Sequence, residues 1–381
     1  MKKKKICFVV AVPGSAEAFL RDHISKLQEK YEVHLAGNYP KDYDGSNYFN
    51  GVIYHQIPIQ RKIQIWYDIK ALYALFHLVK KEKFESIHSV TPKAGLLTAC
   101  AGWLARVPNR IHIYTGQVWA TCTGFKRILL KTMDKIIALL DTLLLVDGES
   151  QRQFLINEGV LKENNSMVPA HGSIAGIKLD RFVISEEVRN AERDKLGFSK
   201  DDVCFIFLGR LNHDKGIGEL FEAFNRLVAE RPDAKLVFYG SDEEGYDAKA
   251  ELFCNIKRNK NYFFPGRTSK PFDALQAGDV FVLPTWREGF GVSVLEAQAL
   301  SLPVITSDAY GVVDASVEGV TGLRCKVNDP EGLCSCMKQY YDNPDLRIAH
   351  GKAGRERVLK FFNNDVVSRA WMEIYKRLLD K

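Results

Sequence analysis

The stretch REGFGVSVLE, residues 287–296, contains two glutamates with seven residues between them. Glu288 precedes a glycine-rich turn, and Glu296 lies in a segment whose apolar spacing predicts a helix. The residues of the turn and the helix start are Gly289, Phe290, Gly291 and Val292. A bare backbone leading into a helix N-terminus suits a phosphate, whereas carboxylates accept hydrogen bonds from sugar hydroxyls. The stretch therefore suits a sugar nucleotide, although a glycine turn with two surface acids would also explain it.

A second candidate loop is GRLNHDKG, residues 209–216, which follows the strand-like run VCFIFL. Gly209 begins it, Arg210 and Lys215 supply two cations, and Gly216 opens the next predicted helix. A guanidinium can fork onto phosphate oxygens, and a lysine adds a mobile point charge. Alone, this loop could be a solvated surface turn. Beside the two glutamates at one sheet edge, it predicts a diphosphate site, although its spacing differs from that of a P-loop.

The elements that would position these loops alternate along the whole chain. Short β-branched runs are followed by helical segments, which predicts parallel strands joined by crossover helices. The rhythm restarts after the charged stretch 184–202, where we place a linker between residues 1–185 and 186–364. The predicted fold class is α/β, with two tandem Rossmann-like, doubly wound domains that face a central cleft. Ligands of such sheets bind outside the carboxyl ends of the strands.

Composition narrows the function further. The 381 residues are 46% apolar and 26% charged, as expected for a soluble two-domain protein, and eight scattered cysteines indicate reduced cytosolic thiols. Residues 1–185 carry 25 lysines and arginines against 16 acids, and the remainder 28 against 31, so the first half should meet an anionic partner. Nucleic acid is disfavoured because no basic stripe is interleaved with aromatics. A dinucleotide oxidoreductase is disfavoured because no G-x-G-x-x-G follows the first strand.

Two further segments are candidates for lining the cleft. RIHIYTGQ ends in Thr115, Gly116 and Gln117, and PAHGSIAGIKLDRF contains His171 and Gly172. A junction between domains explains the second segment almost as well. The D-x-D of residues 42–44 lies in a polar stretch and is interpreted as a solvated turn, so no metal site is predicted.

Four segments carry a family resemblance: GRLNHDKG, REGFGVSVLEAQAL, SLPVITSDAYGVVDASVEGVTGLRC and GSIAGIKLDRF. They resemble the retaining glycosyltransferases of family 4, which have the GT-B fold, and the likeness covers nearly the whole chain. Residues 88–119 resemble the bacterial branch that assembles O-antigen, capsule and related surface glycans. The resemblance implies a hexosyltransferase that moves a sugar from a UDP-sugar to an undecaprenyl-diphosphate-linked glycan. It also implies that a C-terminal helix, 365–381, packs back on the first domain.

The resemblance assigns roles to the second-half residues. Arg210 and Lys215 would hold the donor diphosphate, Glu288 the donor sugar hydroxyls and Glu296 the ribose, with Arg210, Lys215 and Glu288 as the catalytic groups. The amides of residues 290–292 would face the phosphate and sugar. No cofactor or metal is implied, since the nucleotide sugar is a substrate and the cations neutralise its diphosphate.

In the first half, Gly14 matches the loop that closes over the diphosphate, although many members have a pair of glycines there. Many members also have a histidine where this chain has residues 115–117, so no catalytic histidine is assigned. A same-fold sugar-nucleotide 2-epimerase and a non-catalytic glycan-assembly protein are the alternative functions.

Basic amphipathic segments near residues 66–81 and 124–140 suggest where the acceptor is met. Helices that combine lysines with an apolar face can lie in an anionic membrane surface. The predicted location is therefore the cytoplasm, peripheral to the inner face of the cytoplasmic membrane. Core-facing helices with solvated lysines would produce the same pattern.

Overall fold

The computed structural model describes residues 3–40, 43, 49–60, 63–247, 249 and 260–380, which form two compact units. The first unit runs to Gly176 and resumes at Asn364, and the second comprises Ile177–Asn363. Each unit is built on one parallel sheet with helical crossovers, so the predicted α/β fold class with two Rossmann-like domains is confirmed.

The first unit contains a seven-stranded sheet in the order β3-β2-β1-β4-β5-β6-β7. Every neighbouring pair is parallel, so all loops that follow strands leave from one edge. Its strands are β1 (Lys5–Val9), β2 (Glu32–Gly37), β3 (Ile53–Gln56), β4 (Ser86–Val90), β5 (Asn109–Tyr114), β6 (Leu143–Val146) and β7 (Ser166–Met167). Its helices before the chain leaves the unit are α1 (Pro13–Phe19), α2 (Arg21–Leu27), α3 (Ile65–Glu82), α4 (Pro92–Ala105), α5 (Gly124–Leu140) and α6 (Glu149–Asn157).

The second unit contains a six-stranded parallel sheet in the order β10-β9-β8-β11-β12-β13. Its strands are β8 (Val203–Leu208), β9 (Ala234–Tyr239), β10 (Tyr262–Gly266), β11 (Val280–Leu283), β12 (Val304–Ser307) and β13 (Gly322–Cys325). Its described helices are α7 (Glu186–Leu196), α8 (Ile217–Glu230), α9 (Pro271–Leu275), α10 (Val292–Ala299), α11 (Val312–Ala315), α12 (Pro330–Asp342) and α13 (Pro344–Phe361). The strand order reverses between β8 and β11, which is where ligands of doubly wound sheets bind.

The last helix, α14 (Asn364–Leu379), returns to the first unit and packs on α2. The Trp371 ring stacks on His23 at 4.6 Å and on His88 at 5.0 Å. Tyr375 lies in the same core, where its hydroxyl is hydrogen-bonded to Nδ1 of His88 at 2.9 Å. The chain therefore crosses from the first unit to the second and back again.

The structure corrects the predicted domain boundary. The first unit ends at Gly176, nine residues before the predicted limit, because Ile177 already packs in the second core. The charged stretch 184–202 is no linker, since most of it forms α7. Arg193 of that helix is buried and pairs with Asp279 at 3.3 Å. The charges that suggested a solvated linker thus partly serve internal ion pairs.

Candidate active site

Backbone contacts bring the strand-end loops of the second unit together. Gly216 has a φ of 68°, and a Cβ there would lie 2.0 Å from the carbonyl oxygen of the residue after β11. A Cβ on Gly240 would lie 1.7 Å from the Gly209 oxygen, and one on Gly311 would lie 2.4 Å from the Glu288 oxygen. No side chain fits at these separations, so glycine lets the loops after β8, β9, β11 and β12 touch main chain to main chain.

Lys215 and Glu288 form an ion pair at the centre of this loop cluster. Lys215 ends a short 3₁₀ turn after β8, and Glu288 follows the neighbouring strand β11. Each side chain is only 16% exposed, so the pair is largely shielded from water. The structure therefore joins one predicted diphosphate ligand to the predicted sugar ligand at the point where the strand order reverses.

Arg210 lies at the rim, where its Nη1 pairs with Glu243 Oε2 at 3.0 Å. Glu243 also accepts a hydrogen bond from Asn212 Nδ2 at 2.9 Å. Its loop is held by Asp242, whose carboxylate accepts the Gly245 amide at 2.7 Å. The sequence analysis missed Glu243, although the loop after the strand-like run AKLVFY could have indicated it, because that loop leaves from the same sheet edge.

A second ion pair joins the loops after β8 and β11, which also carry Lys215 and Glu288. Arg287 Nη2 lies 2.5 Å from Asp214 Oδ2, with the side chains 15% and 28% exposed. The Asp214 carbonyl accepts hydrogen bonds from Thr285 Oγ1 and from the Trp286 amide, both at 2.8 Å. The sequence analysis missed this pair, because it assigned chemistry only to the neighbouring Lys215 and Glu288. Asp214 and Arg287 lie beside Lys215 and Glu288 in the chain.

Glu296 is the fifth of the 8 residues of α10, which begins after Gly291 at a φ of 91°. Its side chain is half-buried, and burial raises the pKa of the carboxyl from 4.5 to about 7. Phe290 fills the core, with its ring 5.4 Å from Phe362, while Gly289 and Val292 are half-buried. The amides that open α10 lack intrahelical acceptors, as in every helix, and so can meet an anion.

The first-unit candidates lie in two strand-end loops and one tight turn. Gly14 is in the first turn of α1, and a Cβ there would meet nothing within 4 Å, so the fold itself does not require glycine. Thr115 and Gly116 are half-buried after β5. Gln117 is 2% exposed and accepts a hydrogen bond from Gln151 Nε2 at 3.1 Å. The Gln117 side chain thus serves an internal amide pair, and the prediction that residues 115–117 line a cleft stays a prediction.

The turn after β7 places His171 at the surface and buries Gly172, whose φ is 95°. Asp147, which follows β6, fixes this turn by accepting the Ser173 amide on its carbonyl oxygen at 2.7 Å and the Ile174 amide on its carboxylate. His171 and Gly172 thus lie in a braced turn of the first unit. Asp42 and Asp44 of the D-x-D lie outside the described residues. Within those residues, no group of three or more His, Cys, Asp or Glu side chains could hold a metal ion.

Helices α3 and α5 expose apolar side chains instead of burying them all. They flank α4, which packs against both. On α3 the exposed apolar residues are Ile65, Trp66, Tyr67, Ile69 and Tyr73, and on α5 they are Phe125, Ile128, Leu129, Ile136 and Leu139. In the described part of the chain, no helix is both long and apolar enough to span a bilayer.

Comparison with known proteins identifies relatives of both halves. The profile of Glycosyl transferases group 1 matches residues 188–357, and that of Glycosyl transferase 4-like matches residues 5–138. The chain is 32% identical to the Staphylococcus aureus capsular polysaccharide biosynthesis glycosyltransferase CapM, over 100% of this chain and 98% of the relative. It is 26% identical to the Escherichia coli UDP-Gal:alpha-D-GlcNAc-diphosphoundecaprenol alpha-1,3-galactosyltransferase, over 80% of this chain and 78% of the relative.

Solved structures show the same fold at lower sequence similarity. Anabaena HepE, crystallised with UDP and glucose, superposes with a TM-score of 0.82 at 15% identity, over 98% of this chain and 99% of the neighbour. A Thermosynechococcus elongatus sucrose-phosphate synthase superposes with a TM-score of 0.82 at 19% identity, over 99% and 100%.

Proposed function

Because the chain belongs to the glycosyltransferases of the GT-B fold, we propose that it moves a hexose from a UDP-sugar to a lipid-linked glycan. The acceptor lipid is undecaprenyl diphosphate, the anomeric configuration is retained, and the product serves bacterial surface polysaccharide synthesis. Two relatives support this assignment: CapM acts in capsular polysaccharide biosynthesis, and the galactosyltransferase uses UDP-Gal with a diphosphoundecaprenol-linked GlcNAc.

The observation that carries the proposal is the shielded pair of Lys215 and Glu288. A ligand that takes only the ammonium leaves a buried carboxylate unpaired, which costs several kcal/mol. A sugar diphosphate supplies both an anion for Lys215 and hydroxyl donors for Glu288. It can therefore enter between the two side chains and leave neither charge unsatisfied.

The reaction then needs little more than placed charge. The acceptor oxygen bonds to the anomeric carbon on the face that the nucleotide leaves, and the bond from that carbon to the diphosphate oxygen breaks. The bonding electron pair departs with UDP, whose diphosphate takes the acceptor proton. Lys215, Arg210 and the amides at the start of α10 stabilise the developing negative charge, at about 2–4 kcal/mol for each preorganised donor.

Calorimetry with UDP, GDP and NAD tests the donor. UDP should bind, and Glu296→Ala should weaken that binding because the ribose loses an acceptor. A panel of UDP-sugars with membrane lipid extract should then yield a glycosylated lipid whose anomeric configuration is read by NMR. NAD binding without UDP binding would refute the proposal. Epimerised nucleotide sugar without transfer would favour the 2-epimerase alternative.

We further propose that α3 and α5 dock this enzyme on an anionic membrane surface at the inner face of the cytoplasmic membrane. Trp66 is 79% exposed and Phe125 77% exposed, and both lie in the first turn of their helices. Crossover helices begin at the edge where parallel strands end, so these rings lie on the edge that carries residues 115–117. Arg127 binds α5 to that loop by donating to the Trp119 carbonyl at 3.1 Å.

Vesicle sedimentation separates this docking from the donor site. Wild type should bind vesicles that contain phosphatidylglycerol and should bind phosphatidylcholine vesicles weakly. Trp66→Ser with Phe125→Ser should abolish binding and slow transfer to lipid-linked acceptor without changing UDP affinity. Ile348→Ser, at a 69% exposed position of the second unit, is the matched control. Retained binding in the double variant would contradict the assignment of this surface.

A further inference from the structure

The loops after β8 and β11 are joined by two ion pairs of alternating sign. Asp214 and Lys215 are consecutive, as are Arg287 and Glu288, and each residue pairs with the opposite charge across the loops. In the proposed function only the Lys215–Glu288 pair meets the donor. The Asp214–Arg287 pair takes no direct part in that chemistry.

Further hydrogen bonds near this second pair connect the same two loops. The Asp214 carbonyl accepts both the Thr285 hydroxyl and the Trp286 amide at 2.8 Å. The Trp286 indole in turn donates to Glu219 Oε1 at 3.1 Å, at the start of α8. The turn that carries Lys215 is therefore fastened to the segment before Glu288 by groups that take no part in the Lys215–Glu288 pair.

In the donor complex Lys215 binds the diphosphate and Glu288 binds sugar hydroxyls. Their direct contact is then lost and cannot fix the spacing of the two side chains. We propose that Asp214 and Arg287 are positioning residues that hold Lys215 and Glu288 at the donor's spacing once that contact is gone. This inference rests on the proposed function. The geometric reason is that a misplacement near 1 Å costs about a hundredfold in rate.

The test is a double-mutant cycle with Asp214→Asn, Arg287→Gln and the combination. The control cycle uses Glu222→Gln and Arg226→Gln, an exposed i,i+4 pair of α8 at 2.6 Å. Each protein is assayed for kcat and KM in transfer, for UDP affinity by calorimetry, and for Tm. The control variants should match wild type in transfer and UDP affinity.

If the pair positions the donor ligands, each single variant should lose about 10- to 100-fold in kcat and about tenfold in UDP affinity. The double variant should lose no more kcat and UDP affinity than the worse single variant, because either change breaks the same Asp214–Arg287 pair. Wild-type values in Asp214→Asn with collapse only in Arg287→Gln would overturn the inference and make Arg287 a direct donor ligand. Lower Tm with unchanged kcat and UDP affinity would overturn it in favour of a purely structural pair.

The two proposals fail separately. A wild type that binds UDP but transfers no sugar refutes the proposed function. The UDP affinities of the variants then still test whether Asp214 and Arg287 position Lys215 and Glu288. A wild type that binds no UDP refutes both, because Lys215 and Glu288 then have no donor to be positioned for.

Discussion

Glu296→Gln should make the protein more stable at alkaline pH and poorer at holding the nucleotide. Burial raises the pKa of the Glu296 carboxyl from 4.5 to about 7, so the folded state resists its ionisation. Between these two values the native state binds more protons than the unfolded state, and stability falls as the pH rises. The difference corresponds to up to about 3 kcal/mol at pH 8, and to nothing below about pH 4.5. Glutamine keeps the shape without the charge.

Thermal unfolding across pH 4–9 measures this effect. For a unit of this size, 3 kcal/mol corresponds to about 6–12 °C in Tm, so the variant should gain that much at pH 8 and nothing at pH 4.5. Glu222→Gln, at an exposed position of α8, should leave Tm nearly unchanged at both pH values, because exposed i,i+4 pairs contribute only about 0.5 kcal/mol. A Tm difference for Glu296→Gln that is independent of pH would refute the burial argument.

UDP affinity measured alongside tests the functional half of the same prediction. Wild-type affinity should fall as the pH drops through about 7, because a protonated Glu296 is a poorer acceptor for the ribose. The variant should bind more weakly at pH 8 and lack this dependence. UDP titrates near pH 6 itself, so the two proteins are compared at each pH, where that contribution cancels. Equal affinity of the two proteins at pH 8 would refute the prediction that the charged Glu296 carboxylate binds the ribose.

Three further substitutions have defined outcomes. Lys215→Met should lower kcat/KM in transfer about 10²- to 10³-fold, measured by steady-state kinetics, and wild-type kinetics would exclude its role at the diphosphate. Gly216→Ala should unfold at markedly lower denaturant, because its φ of 68° and the carbonyl 2.0 Å from its Cβ leave no room, whereas Gly218→Ala, with nothing within 4 Å, should not. Arg193→Met should cost about 1–3 kcal/mol in urea unfolding, because buried carbonyls lose the guanidinium that donates to them, and an unchanged unfolding free energy would contradict this role. Asp279 keeps its pair with Arg189 at 2.6 Å in that variant.

The sequence alone predicts where the central pair lies, for a simple reason. Parallel strands that neighbour each other end at the same edge, so a cation after β8 and an acid after β11 must approach. Strand-like runs and glycine positions are local signals that mark those ends. Local signals therefore suffice to predict the α/β class and the placement of Lys215 and Glu288 at one sheet edge.

What the sequence does not predict is which distant group each charge meets. Asp214 and Arg287 lie at the same sheet edge as Lys215 and Glu288, but that placement does not determine which of the four charges pair. The charged stretch 184–202 predicts a linker, yet Arg193 within it is buried on Asp279. Periodicity likewise predicts α5 as amphipathic without indicating that Phe125 faces outward. Each of these outcomes depends on tertiary packing that becomes defined only when the sheets are assembled.

The glycine contacts among the strand-end loops bear on how readily this enzyme could be redirected to another donor. Gly216, Gly240 and Gly311 fix the frame of the site through main-chain atoms. Side chains at its rim that are not assigned to the donor diphosphate, such as Glu243 at about one-third exposed, can be exchanged without moving that frame. A combinatorial library confined to rim positions, with the glycines held constant, should therefore yield folded variants at high frequency. Selection for new sugar donors can then act on chemistry instead of on rescue of the fold.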